Sequence, residues 1–139
     1  AVGEHIPVVL PLHPRTRKIV ERLGLEAPAA GLVVREPVGY REMTALLMHA
    51  RFCLTDSGGL QEEAAILGVP ALVLRDETEH RRYIECGLHR LAGIDSARIV
   101  AEAGLLLGDD EWRRRRAALP ELDRDVTTRI INAIQSCSL

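Results

Sequence analysis

The sequence predicts an α/β fold in which a parallel sheet carries helices on both faces. Short apolar runs alternate with longer amphipathic segments, the strand, loop and helix order that right-handed crossovers between parallel strands require. Several helical segments also end on a glycine, at positions 24, 68, 87 and 108, as helix stops do. With 139 residues, 47% hydrophobic and 27% charged, the chain makes one domain of ordinary size that can bury a core without staples.

Taken in order, residues 6–12 are apolar throughout, as expected of a central parallel strand, although Pro7 and Pro11 make pairing incomplete at its ends. The strand delivers His13-Pro14 at its carboxyl tip. Residues 15–23 then place Ile19, Val20 and Leu23 on one helical face, and Gly24 stops the helix. Residues 31–38 give a second strand, and 40–49 a helix with Met43, Leu46 and Leu47 facing inward. Residues 51–54 form the third strand, which leads into the tight turn Asp56-Ser57-Gly58-Gly59 and a helix over 60–67 closed by Gly68.

Residues 70–74 form a fourth strand, whose tip releases a loop dense in charge over 75–82. A short helix over 83–86 stops at Gly87, and 89–93 gives a short strand. Asp95 is suited to cap a helix that runs to Leu107 and closes on Gly108. Acids at 109–111 followed by arginines at 113–116 complement a helix dipole, so the basic run reads as a solvated face and not as a nucleic-acid patch. After Pro120, residues 126–134 form a terminal helix with Val126, Ile130 and Ile134 in register.

The totals exclude several classes. A net charge of −2 gives no global basic field for nucleic acid or an anionic membrane surface, and no apolar stretch is long enough to span a bilayer. Cys53, Cys86 and Cys137 are odd in number and widely spaced, without the pattern of a zinc site or a disulfide framework, which fits a reducing cytoplasm; Cys53 reads as a small core residue. The five histidines show no metal spacing, so neither metal nor cofactor is expected. No Gly-x-Gly-x-x-Gly, P-loop or Gly-x-Ser-x-Gly motif is present, which makes Ser57 a poor nucleophile. The chain lacks an initiator methionine and opens almost directly on a strand, so a fragment or an excised domain is expected.

The turn at 56–59 has a chemical use. A helix N-terminus offers unpaired N–H groups and the positive end of a dipole, a seat for phosphate. Gly58 and Gly59 let a phosphate approach the backbone, Ser57 adds a hydroxyl, and Glu63 one turn on can accept hydrogen bonds from sugar or ribose hydroxyls. The same residues also make a good turn and N-cap, and the physics alone leaves the two readings even. His13 at a strand tip can serve as acid, base or phosphate partner, or be an ordinary loop residue. The arginines of the 75–82 loop can clamp a diphosphate or lie solvated in weak ion pairs.

The run Thr55-Asp56-Ser57-Gly58-Gly59-Leu60-Gln61-Glu62-Glu63-Ala64, followed by Gly68-Val69-Pro70 and by Leu74-Arg75-Asp76-Glu77-Thr78-Glu79, resembles the signature of UDP-N-acetylglucosamine 2-epimerases. The resemblance extends from Leu12-His13-Pro14 to Gly93, with a weaker tail. It implies a Rossmann-like parallel sheet, one half of a two-domain GT-B-type fold. Residues 1–139 would be the C-terminal UDP-binding domain, with its opening strand and helix and the whole N-terminal domain missing. It further implies interconversion of UDP-GlcNAc and UDP-ManNAc by UDP elimination and re-addition, in cell-surface polysaccharide biosynthesis, by the non-hydrolysing branch.

Carried onto matching positions, the resemblance makes His13 the catalytic candidate and puts the diphosphate on Ser57, Gly58 and Gly59. The ribose falls to Glu63, and the phosphate or sugar side to Arg75, His80 and Arg81. The base lies near the loop at 36–40 and its helix, beside Met43, which also reads as a core methionine. The implied partners are UDP, a UDP-N-acetylhexosamine, the missing domain and a second copy in a full-length homodimer. Two departures stand out. His80 takes the place of the family's second arginine and Arg81 that of its proline, and only Asp123 survives of a glycine-rich stretch before the last helix. A nucleotide-sugar glycosyltransferase domain and a catalytically silent nucleotide-binding module stay open as alternatives.

Overall fold

The computed structural model describes residues 2–25, 30–108 and 126–136. Its strands are β1 (Val8–Pro11), β2 (Leu32–Arg35), β3 (Cys53–Thr55), β4 (Ala71–Val73) and β5 (His89–Leu91). Between and after them come helices α1 (Pro14–Arg22), α2 (Tyr40–His49), α3 (Gly58–Leu67), α4 (Arg81–Glu85), α5 (Ser96–Gly108) and α6 (Val126–Ser136). The expected α/β class therefore holds, and every pairing is parallel. Most strands are shorter than the apolar runs that announce them, because pairing stops where the backbone turns toward a loop or cap. The expected acidic and basic segment at 109–116 and Asp123 lie outside the described residues.

The strands form two separate ladders, β1-β2 and β3-β4-β5. In the second, Cys53 pairs with Ala71 and Ala71 with His89, so β4 has a partner on each side. Alternation along β4 splits its side chains between two layers. Leu72 joins Ala92 with Ala103 and Leu106 of α5. The opposite layer belongs to α3, where Ala64 packs with Leu47 and Val69, and Ala65 with Tyr83 and Leu88. All three β4 residues are fully buried.

The β1-β2 ladder differs from expectation. β1 has a single partner among the described residues, so it is an edge strand here and not a central one. Val9 and Leu10 are 43% and 39% exposed, and Val34 of β2 is 39% exposed. Two residues of the apolar face expected of α1, Ile19 and Leu23, are likewise exposed, while Val20 is half-buried. On α2, Leu47 is buried while Met43 and Leu46 are half-buried.

Helix ends follow local chemistry. Gly68 closes α3 in the left-handed region at φ 68°, which only glycine adopts without strain. Asp95 caps α5, its Oδ1 accepting from the Arg98 N–H at 2.8 Å. Glu42 reaches back to the Gly39 N–H at 3.0 Å and steadies the start of α2.

Candidate functional site

Because β3 and β4 are parallel neighbours, their carboxyl ends lie side by side, where open α/β sheets bind ligands. β3 ends at Thr55 and releases Ser57, while β4 ends at Val73 and releases Arg75. The turn after one strand and the charged loop after the other meet at the head of α3.

Ser57 is the N-cap of α3, its Oγ accepting from the Leu60 N–H at 3.4 Å. The capping reading of this turn is therefore real, but it uses only one donor of the first turn. The Ser57 N–H, one of the expected phosphate donors, is already given to Thr55 Oγ1 at 3.0 Å. That leaves the N–H groups of Gly58 and Gly59, which have no acceptor among the described residues, and the Ser57 hydroxyl proton. Glu63 stands one turn beyond Gly59, half-buried and without an ion pair among the described residues. Its neighbour Glu62 is taken by Arg82 at 3.0 Å.

The loop from 75 to 80 reaches over this helix head. A Cβ placed on Gly58 would lie 2.5 Å from Glu79 Oε1 and 3.3 Å from His80 Nε2, so any side chain there requires the exposed Glu79 carboxylate to shift. Arg75 Nη1 donates to Glu79 Oε2 at 3.1 Å, and His80 Nε2 lies 3.7 Å from Glu79 Oε1. Glu79 is held below the usual carboxylate range, first by a hydrogen bond from its own backbone N–H and then by Arg75 and His80. His80 is mostly shielded and stacks on the Tyr83 ring at 5.9 Å. His80 thus does reach the helix head. Arg81 begins α4, exposed and without an ion pair among the described residues.

Beneath the loop runs a buried polar network that the sequence reading missed. Thr78 Oγ1 donates to Gln61 Oε1 at 2.7 Å and accepts from the His80 N–H at 3.2 Å. His89 Nδ1 accepts from the Ala71 N–H at 3.2 Å, so its proton sits on Nε2, which donates to the Gln61 carbonyl at 2.9 Å. Burial pushes the His89 pKa down, keeping the ring neutral. Gln61 Nε2 is buried without a partner among the described residues, so the amide is satisfied on its acceptor side alone. A glutamine flanked by apolar helix positions on the inward face of α3 was the available signal, since a buried amide demands partners.

His13 caps α1, its Nδ1 accepting from the Arg15 N–H at 3.2 Å, which leaves Nε2 for a ligand. His13 and Met43 share no hydrogen bond or ion pair with the α3 cluster among the described residues. The β1-β2 ladder that positions His13 is not hydrogen-bonded to β3. The structure thus brings together Ser57, Gly58, Gly59, Arg75 and His80, with no hydrogen bond or ion pair among the described residues tying His13 or Met43 to them. A cleft of about 470 Å³ lined by Glu85, Cys86, His89, Arg90 and Glu102 shares no residue with this cluster. Cys53 packs half-buried against the layer of Leu47, Ala64 and Val69, and burial pushes its thiol up to about 12. No group of metal-binding side chains occurs among the described residues, and no helix among them is long and apolar enough to cross a membrane.

Comparison with known proteins identifies the family. The sequence model of the family described as UDP-N-acetylglucosamine 2-epimerase matches residues 1–135. UDP-2,3-diacetamido-2,3-dideoxy-D-glucuronate 2-epimerase of Pseudomonas aeruginosa is 48% identical over 102 residues, covering 73% of this chain and 28% of that protein. UDP-N-acetylglucosamine 2-epimerase of Salmonella typhimurium is 40% identical over 140 residues, covering 98% of this chain and 37% of that protein. The crystal structure of Methanocaldococcus jannaschii UDP-GlcNAc 2-epimerase in complex with UDP-GlcNAc and UDP superposes with a TM-score of 0.69 at 34% identity, over 75% of this chain and 30% of that one. The chain thus spans about a third of the length of the curated relatives it matches. With the Ser57-Gly58-Gly59 turn heading a helix under the Arg75 loop, and with a family match along almost its whole length, the chain belongs to the UDP-N-acetylglucosamine 2-epimerase family.

Proposed function

We propose that this chain is the UDP-binding part of a 2-epimerase that interconverts UDP-GlcNAc and UDP-ManNAc. The observation that carries the reading is the pair of open N–H groups on Gly58 and Gly59, set at the head of a ten-residue helix with Arg75 and His80 beside them. In this reaction the C2 proton is removed and the bond from C1 to the diphosphate oxygen breaks, its electron pair leaving with UDP. Re-addition of UDP to the glycal with protonation at C2 gives the inverted configuration. Negative charge grows on the diphosphate as it departs, and donors already aimed at that place stabilise it without reorganising.

In the same reading Glu63 accepts from the ribose hydroxyls and the base lies toward α2 and Met43. His13 acts from its Nε2 at the tip of β1. The N-terminal part of a longer protein supplies the acid and base carboxylates. The unpaired edges of β1 and β3 support a further strand joining the two ladders. A homodimer of the full-length protein and a cytoplasmic setting, consistent with unpaired Cys53 and Cys86, belong to this reading too.

One observation favours a different sugar. The 48% identical relative is named for a diacetamido-glucuronate substrate, and exposed Arg81 would suit a uronate carboxylate. Tighter binding of the UDP-diacetamido-glucuronate than of UDP-GlcNAc, lost in Arg81→Ala, would select that sugar.

Calorimetric titration of the 139-residue chain with UDP, with uridine as the phosphate-free control, tests the seat. Saturable UDP binding that Gly58→Asp abolishes is the expected result, because the new carboxylate fills the cradle and repels phosphate. Equal binding by the folded Gly58→Asp variant, or no binding by the folded parent chain, overturns the reading.

A further inference from the structure

The seat proposed for the diphosphate is not empty of anions. Glu79 Oε1 lies so close to Gly58 that a single methyl group there would collide with it, at 2.5 Å. The other carboxylate oxygen takes the hydrogen bond of Arg75 at 3.1 Å. Two features that would recognise a diphosphate, a helix N-terminus and a guanidinium, thus already face the chain's own carboxylate. The positive helix end favours a carboxylate beside it, although the Gly58 and Gly59 N–H groups themselves donate to no group among the described residues.

The arrangement is fixed at its root and loose at its tip. Thr78 is buried and hydrogen-bonded to Gln61 of α3, which sets the course of the loop, whereas the Glu79 side chain is more than half exposed and can rotate away. Glu79 therefore can leave the seat without unfolding the loop that carries it.

We propose that Glu79 is an internal competitor that sets the affinity of the α3 seat for the diphosphate. In the unliganded protein its carboxylate covers Gly58 and holds Arg75. An arriving diphosphate displaces it, takes the Gly58 and Gly59 N–H groups, and inherits Arg75. The inference rests on the diphosphate seat proposed above. For a reaction that must both hold and release UDP, such a competitor keeps the nucleotide from binding too tightly, because each departure is met by a replacement anion.

The experiment is calorimetric titration of the parent chain, Glu79→Gln and Gly58→Asp with UDP, pyrophosphate and uridine, after circular dichroism has established that each is folded. Glutamine keeps the shape and removes the charge. The expected result is UDP and pyrophosphate binding tighter by about three- to tenfold in Glu79→Gln, the scale of one lost helix-end and ion-pair competitor, with uridine unchanged. Unchanged or weaker UDP binding by Glu79→Gln, while Gly58→Asp abolishes binding, overturns the competitor and leaves the seat standing. Indifference of UDP binding to Gly58→Asp removes the seat, and the competitor with it. Equal tightening of uridine also overturns the proposal, since it would show an effect unrelated to phosphate.

Discussion

The two ladders have similar sequences and different fates. β2 reads Leu-Val-Val-Arg and β4 Ala-Leu-Val, yet Val34 is 39% exposed and Val73 fully buried. The difference is in neighbours. β4 lies between β3 and β5 and is covered by α3 and α5, whereas β1 and β2 have only each other as ladder partners among the described residues. An apolar run announces a strand, but its burial is decided by what packs on its faces and edges. The seat at the head of α3 belongs to the closed ladder, and His13 to the open one. The parts of the proposed site therefore rest on foundations of unequal strength.

Matched substitutions followed by urea denaturation distinguish the two ladders. Leu72→Ala, at the centre of the closed ladder, should cost about 2–5 kcal/mol, the usual range for a buried leucine. Val73→Ala should cost about 2 kcal/mol from two lost methylene equivalents and their cavity, and Val34→Ala less than half of that. Equal costs for the two valines would mean that the ladders are packed alike in solution.

A subtler test uses acid. Burial depresses the His89 pKa in the folded chain below its ordinary value of 6.5, so the unfolded chain binds the proton more readily. The stability of the closed ladder should thus be fully present above pH 6.5 and fall as the pH drops through and below that value. His89→Gln should flatten that acid limb, read as the shift in denaturation midpoint between pH 7.5 and 5. An unchanged limb would show that His89 is not buried as a neutral ring.

Much of α3 was legible because its signals are local. Ser57 before two glycines marks a cap, Gly68 marks a stop, and Asp95 opens α5 as its spacing suggests. Two kinds of fact were not legible. The claim of Thr55 on the Ser57 N–H depends on the rotamer of a threonine whose sequence role is that of a strand residue. The Thr78, Gln61 and His89 network joins residues 17 and 28 apart, and sequence spacing says nothing about such meetings. The exposure of Val9 and Leu10 was hidden for a related reason, since three aliphatic side chains in a row look the same on an edge as in a centre, and only Pro7 and Pro11, which cannot donate to a ladder, pointed to an edge.

The hydrogen bond between Thr78 and Gln61 has a consequence for speed. A loop anchored through its Thr78 side chain to the helix it covers does not have to be assembled when a nucleotide reaches the proposed seat. Only the Glu79 and Arg75 side chains need turn, and exposed side chains change rotamer in picoseconds to nanoseconds, whereas collective lid motions take microseconds to milliseconds. Association at this seat should therefore be paced by diffusion and charge, with no waiting time for a gate.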